Sequence, residues 1–278
     1  MSNHLCTHAY HDDLFLTIWL KYHSVADPTL NLHVILTEEH EGEADDYRSR
    51  FPNVDFVVWS PTTRGDDTAM VVQVEELQRR LFTTGAKVVG HLDADEYVIP
   101  TNSESLCEWM QRFANDESRT VCRATGWQVF HKPDIEPPAF QTSSDILEGR
   151  NHAYESTGYS KPCFVKQPTT WALGFHKRCV DANQRRSRIN DPIDPTLELL
   201  HLSFFDLQFV VDRHAWVNSD RSKLSDSWHY ARNVAEASFR KFLNDLVPPW
   251  EPGHYDFMMM RKTGSKPVKE HWRGKLLK

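Results

Sequence analysis

The sequence predicts an α/β domain built on a mainly parallel central sheet flanked by helices. Three observations predict it. Over the first hundred residues, segments of helical periodicity alternate with short apolar runs rich in β-branched residues. The 278 residues are enough to bury a sizeable core. The apolar run "AKVVGHLDADEYVIP" carries Asp93, Asp95 and Glu96 at what reads as the end of a central strand, where open sheets of this kind bind ligands.

Each element has its own signal. "HLCTHAY" is a short strand, and "DDLFLTIWLKYHS" is a helix. In that helix Leu14, Ile18 and Tyr22 fall on one stripe beside Phe15 and Trp19, and Asp12 or Asp13 caps its start. "LHVILT" and "VDFVVWS" are strands by their β-branched and apolar content. In "DDTAMVVQVEELQRRLFTTG", Met70, Val74, Leu77 and Leu81 recur at helical spacing, with Asp66 or Asp67 at the start and Gly85 at the stop. Beyond Pro100, "SESLCEWMQRFAN" is a helix and "TVCRATGWQVFHK" a strand pair or one long strand. Residues 132–168 are rich in Pro, Ser, Thr and Gly and read as a long irregular insertion, a type of loop that in compact domains is functional or mobile. "LELLHLSFF" is a late strand and "SDSWHYARNVAEASFRKFLNDLV" a late helix. The pattern reads as one domain over residues 1–262 and a basic tail over 263–278.

Composition narrows the function classes. A net charge of -7 gives no bulk attraction for nucleic acid. The five cysteines form no CxxC pair, which argues against a structural zinc site and a disulfide framework and fits a reducing, cytoplasmic compartment. No run approaches the ~20 apolar residues of a membrane span, so any contact with a membrane is expected only at its surface; the basic tail is either a lipid-docking segment or, more commonly, a disordered terminus. With 15 histidines, no single one argues for itself.

The acidic run carries the chemistry. Three carboxylates between two core segments are expensive to bury unless something pairs with them. On an extended strand Asp93 and Asp95 share a face and Glu96 takes the other; at a strand end all three can converge. Oxygen ligands at this density suit a hard divalent cation such as magnesium or manganese, which keeps room for substrate phosphate oxygens. A charged strand-to-loop corner is the competing reading.

The order of segments resembles family-2-like glycosyltransferases of the GT-A fold, over roughly Leu14 to Arg213. "LFLTIWLKYHSVA", "MVVQVEELQRRL" and "GHLDADEYVIP" look like their successive segments, the last with their Asp-x-Asp-Glu-aromatic signature. "GYSKPCFVKQ" followed by "GFHKRC" resembles their Ser-Lys and Gly-x-His segments, and "ELLHLSFFD" their late Leu-His strand. Where that family carries Asn-Glu after its first strand, this chain has "AYHDD", which puts nucleobase contacts at Tyr10 to Asp13 in question.

The resemblance implies a nucleotide-diphosphate-sugar donor, a hydroxyl acceptor such as a glycan, and a manganese or magnesium cofactor. It implies Asp95 as metal ligand, Asp93 as a donor contact and His201 or His176 completing the metal or diphosphate site. A basic residue about a dozen positions after His201 is matched by Arg213. An inverting transfer needs a base; Glu96 is the first choice, with Glu155 and Asp181 as alternatives. Lys161 is expected to meet the diphosphate as a point charge; Lys166 and Arg178 either do the same or, the favoured reading, belong to a solvated basic surface. Trp127 and Trp171 are either sugar platforms or core. Two rivals stand beside this reading: a haloacid-dehalogenase-type phosphatase with Asp93 as nucleophile and Asp95 as acid, and a catalytically silent nucleotide-sugar-binding protein.

Overall fold

The computed structural model describes residues 2–9, 13–37, 42–60, 67–137, 150–184 and 188–218, with 147, 240 and 271 singly. Strand β1 (Ser2–Ala9) leads to helix α1 (Asp13–Ala26), strand β2 (Asn31–Thr37), helix α2 (Ala44–Arg50) and strand β3 (Val54–Trp59). Helix α3 (Asp67–Thr83) and strand β4 (Ala86–His91) follow, then strand β5 (Glu96–Pro100), helix α4 (Leu106–Asn115) and strand β6 (Val121–Phe130). Strands β7 (His152–Glu155) and β8 (Pro162–Val165) come next, then the two-residue strands β9 (Arg178–Cys179) and β10 (Arg188–Ile189), strand β11 (Ile193–Phe204) and helix α5 (Leu207–Asn218).

The main sheet runs β3-β2-β1-β4-β8-β6-β11-β5, with β7 alongside β6. Its first four strands are all parallel, and β6 pairs parallel with β11; β8, β5 and β7 enter antiparallel. Both faces are covered, as a parallel sheet requires. Neighbouring residues therefore go to different cores: Leu5 and Val88 pack with α1 and α4, while Cys6 and Val89 pack with α3.

The helices follow from their periodicity. Met70, Val74, Leu77 and Leu81 of α3 are all buried, and Gly85 turns the chain out at φ 102°, a value that favours glycine. Helix α4 opens on a capping box, Ser105 Oγ accepting the Glu108 amide and Glu108 accepting the Ser105 amide. At its other end Lys166 Nζ donates to the carbonyls of Phe113 and Asp116, a cation at the negative end of the helix dipole. Lys166 is thus a helix cap.

Three differences from the sequence reading bear on the site. First, "AKVVGHLDADEYVIP" is two strands in different parts of the sheet: β4 pairs with β1 and β8, and β5 pairs with β11. Second, the irregular span 132–168 contributes β7 and β8, and β8 wedges between β4 and β6. Buried Arg150 ties this span down by donating to the carbonyls of Phe205 and Pro137 and to Asp206. Third, α2 and α5 join the expected helices; α2 ("ADDYRSR") buries only Ala44 and Tyr47, too few for a stripe. The expected late helix at 225–247 and the tail at 263–278 lie outside the described residues, apart from Arg240 and His271. All five cysteines are free. Among the described residues no helix is long and apolar enough to cross a membrane.

Candidate functional site

The acidic run forms a tight turn at the carboxyl end of β4. The Glu96 amide donates to the Asp93 carbonyl at 3.0 Å, and the Asp93 amide donates to Glu96 Oε2 at 3.0 Å. That reciprocal clasp ends β4, starts β5, and sends Asp93 and Asp95 to different partners.

On one side is Lys161. Its side chain is 0% exposed, and its Nζ lies 3.0 Å from Asp93 Oδ2 and 2.5 Å from Glu96 Oε2. A glycine makes this placement possible. A Cβ at Gly126 would meet the backbone of Tyr159 at 2.2 Å and of Ser160 at 2.3 Å, so only glycine lets the 156–161 segment lie directly on β6. Ser160 Oγ accepts the Gly126 amide at 2.9 Å, and the Ala124 amide donates to the Lys161 carbonyl at 3.1 Å.

On the other side are Arg213 and His201. Arg213 Nη1 donates to Asp95 Oδ2 at 3.0 Å across 118 residues of sequence. Gln128 Nε2 donates to the carbonyls of Val129 and His201, which fixes its amide and aims Oε1 at His201 Nδ1, 2.5 Å away. His201 Nδ1 therefore carries the proton, and neutral Nε2 presents a lone pair. That lone pair faces Asp95 Oδ2 at 3.8 Å. Tyr159 stacks on the His201 ring with centroids 3.8 Å apart.

Two more histidines border the turn. His91 ends β4, and its Nε2 lies 3.2 Å from Nδ1 of His8 on β1. His8 Nδ1 is 3.8 Å from Asp93 Oδ1. Further along the chain, His176 donates from Nδ1 to the Gly158 carbonyl at 3.0 Å, assigned by the carbonyl's being an acceptor only. Before it, Gly174 and Phe175 both adopt positive φ, 72° and 57°, and Phe175 packs on the His91 ring with centroids 4.1 Å apart. A left-handed phenylalanine is strained, and such strain gathers at functional positions.

The protonation states follow from burial and pairing. Burial opposes charge on Asp93, yet Lys161 beside it holds the carboxyl well below the usual carboxylate range. Burial pushes Glu96 up to about 8, against the pull of Lys161. Burial likewise opposes charge on Lys161, and Asp93 and Glu96 overcome it and raise the ammonium above its ordinary value. One buried ammonium thus serves both acidic side chains. Burial lowers His201 and His176 to about 4, so both are neutral imidazoles. For His176 the nearby Lys161 charge adds to the effect of burial.

The expected site residues divide accordingly. Asp93, Asp95, Glu96, Lys161 and His201 converge on the turn, joined by Arg213. Glu96, expected as the base, has no exposed surface and is bound to Lys161, because β5 continues the core strand inward from the turn. Lys161, expected on the diphosphate, is likewise enclosed. Of the two histidines expected beside Asp95, His201 lies 3.8 Å from its Oδ2, while His176 turns Nδ1 to the Gly158 carbonyl. Among the described residues, the set of three ligand atoms within 4.8 Å of one another is His8, His91 and Asp93. Arg178 is engaged with Asp191 at 2.9 Å, and Trp127 and Trp171 are core. Glu155 is on β7 and Asp181 follows β9. Asp13 accepts from Tyr47 Oη at 3.2 Å, while Tyr10 to Asp12 lie outside the described residues. His8, His91 and Gln128 had no sequence signal, since only strand pairing brings them here, and Tyr159 arrives with the segment that Gly126 admits.

No family model matches this sequence, and no curated protein matches it. Solved structures do. A TarS fragment from S. aureus is 12% identical with a TM-score of 0.42, covering 87% of this chain and 69% of that one. In complex with UDP it is 11% identical at 0.41, covering 87% and 70%. The 4-diphosphocytidyl-2C-methyl-D-erythritolsynthase from Anaerococcus prevotii is 10% identical at 0.33, covering 59% and 70%. The glycosyltransferase GlyE from Streptococcus pneumoniae is 10% identical at 0.27, covering 45% and 30%. These are likenesses of chain path and transfer no residue's role.

Proposed function

We propose that this protein is a glycosyltransferase that moves a sugar from a nucleotide-diphosphate donor to a hydroxyl acceptor by inverting displacement. The observation that carries the reading is the meeting of Asp95, Arg213 and His201 beside Asp93, at the carboxyl end of a parallel β-α-β layer. The carboxyl end of such a layer is where open sheets take ligands.

The acceptor oxygen bonds to the anomeric carbon as the bond from that carbon to the diphosphate breaks. The bonding pair leaves with the diphosphate, and the acceptor proton passes to a base. Charge grows on the leaving group, and Arg213 is a cation with 28% of its side chain exposed at that edge. A divalent cation, if bound here, would supply further charge stabilisation for the departing diphosphate. Asp95 and His201 would hold one: Asp95 Oδ2, which also accepts from Arg213, lies 3.8 Å from the lone pair of His201 Nε2, and Gln128 orients the imidazole from behind. Lys161 and Glu96 act as positioning residues, holding the turn that presents Asp93 and Asp95.

A thermal-shift screen of nucleoside diphosphates and their sugars, with and without manganese, tests this, followed by an assay for nucleoside diphosphate release with hydroxyl acceptors. Manganese-dependent stabilisation and acceptor-dependent release support it. Phosphate release from simple phosphoesters without any sugar nucleotide would point to the phosphatase instead. Donor binding without turnover on any acceptor would point to a silent binding protein.

A further inference from the structure

We infer that His8, His91 and Asp93 form a transition-metal site of their own, of the zinc class, separate from the Asp95–His201 position. The inference does not rest on the transferase reading.

Three ligand atoms converge. His8 Nδ1 and His91 Nε2 are 3.2 Å apart, Asp93 Oδ1 is 3.8 Å from His8 Nδ1, and all three lie within 4.8 Å of one another. They form a triangle and not a line. Two zinc–nitrogen bonds of ~2.05 Å at a tetrahedral angle span about 3.3 Å, close to the separation of the imidazole nitrogens. The rings meet edge to edge, with centroids 5.3 Å apart and planes 1° apart, so without a metal the two nitrogens share a proton. A change of tautomer and a turn of each ring releases both lone pairs for an ion on the Asp93 side.

The surroundings support a ligand. Asp93 Oδ1 is buried with no hydrogen-bond partner among the described residues, although Oδ2 is held by Lys161. An ionised carboxylate oxygen left without a partner is costly, and a cation removes the cost. Phe175, strained at φ 57°, lies over both imidazoles, 4.1 Å from His91 and 5.5 Å from His8 between ring centroids. Two nitrogen ligands favour zinc over magnesium, and three protein ligands leave a fourth position for an oxygen ligand.

A second histidine pair in the same sheet shows what the first has. His4 Nδ1 and His33 Nε2 are 2.9 Å apart, but Asp55 Oδ2 sits on the far nitrogen of His33 at 3.1 Å. There the groups form a chain, with no point at which three ligands meet.

The test is equilibrium dialysis of the chelator-stripped full chain against zinc, read by atomic emission, with cobalt(II) as an optical probe. Measured in the Asp95→Asn background, which removes the Asp95–His201 position, the expected result is one equivalent bound. His8→Gln and His91→Gln should each weaken it by more than about 100-fold, since loss of even an outer-shell partner costs about 10–100-fold. Asp95→Asn and His33→Gln should retain it. Circular dichroism checks folding, and the partly exposed His8 keeps the test valid should the buried His91 variant fail to fold. No zinc retained by the wild type, or equal retention in the wild type and His8→Gln, overturns the inference. So does loss in Asp95→Asn with retention in the histidine variants.

Discussion

The two sides of the Asp93–Glu96 turn are built for different work. On the Lys161 side, a fully enclosed ammonium serves two carboxylates, and Glu96 is bound to the turn's own backbone. On the Asp95 side, Arg213 is partly exposed, and His201 presents a lone pair toward a carboxylate. On the first side the cation is sealed inside the protein. On the second the cation, Arg213, is itself within reach of a ligand. The same four residues of sequence thus hold a structural clamp and a reactive edge.

The largest expected effect breaks the clamp. Lys161→Met leaves Asp93 and Glu96 without their cation and should lower stability by about 3–5 kcal/mol, read from urea unfolding. A loss under about 1 kcal/mol would show that the ammonium is not the clamp. Next is the edge. Asp95→Asn should leave the melting temperature nearly unchanged and weaken metal-dependent donor binding by about 100-fold, or ~2.7 kcal/mol. Unchanged donor affinity in manganese would remove Asp95 from the site.

Gly126→Ala tests how the clamp reaches the turn. Its Cβ would overlap the backbone of Tyr159 and Ser160, so strand and segment must part. The expected loss is about 1–3 kcal/mol, with activity falling further because Lys161 and Tyr159 move together. A variant as stable and active as wild type would show that the segment can shift freely.

The smallest effect comes from outside the turn. Burial lowers His23 to about 3 from 6.5, so the unfolded chain takes up a proton there that the folded chain does not. Its contribution is present above the unfolded value and is lost as pH falls from 6.5 toward 3. Between about pH 7 and pH 5 this amounts to roughly 1–2 kcal/mol. Urea unfolding of wild type and His23→Leu at both pH values should show a smaller pH-dependent loss in the variant; identical losses would refute the assignment.

Much of the first half of the fold was legible because its signals are local. The α3 stripe, the β-branched runs of β2 and β3, and the stop at Gly85 each depend on residues a few positions apart, and both periodicities are properties of the backbone. The acidic turn was legible for the same reason, since carboxylates between apolar segments need a partner wherever the chain goes. The order of the sheet was not. Nothing local tells β8 to enter between β4 and β6, or β5 to leave β4 for β11. Nor does anything local mark His8 and His91 among 15 histidines, or distinguish Lys161 from a solvated lysine.

The sequence by itself determined the alternation of elements and the presence of Asp93 and Asp95 at a strand end. Only the tertiary structure decided their partners. The β1–β4 pairing joins His8 to His91, the bare backbone of Gly126 admits Lys161, and α5 returns Arg213 to Asp95 across 118 residues. The physical reason is range: periodicity and turn chemistry act between neighbours in the chain, whereas the field at a buried carboxylate is set by whichever charges packing brings within a few ångströms.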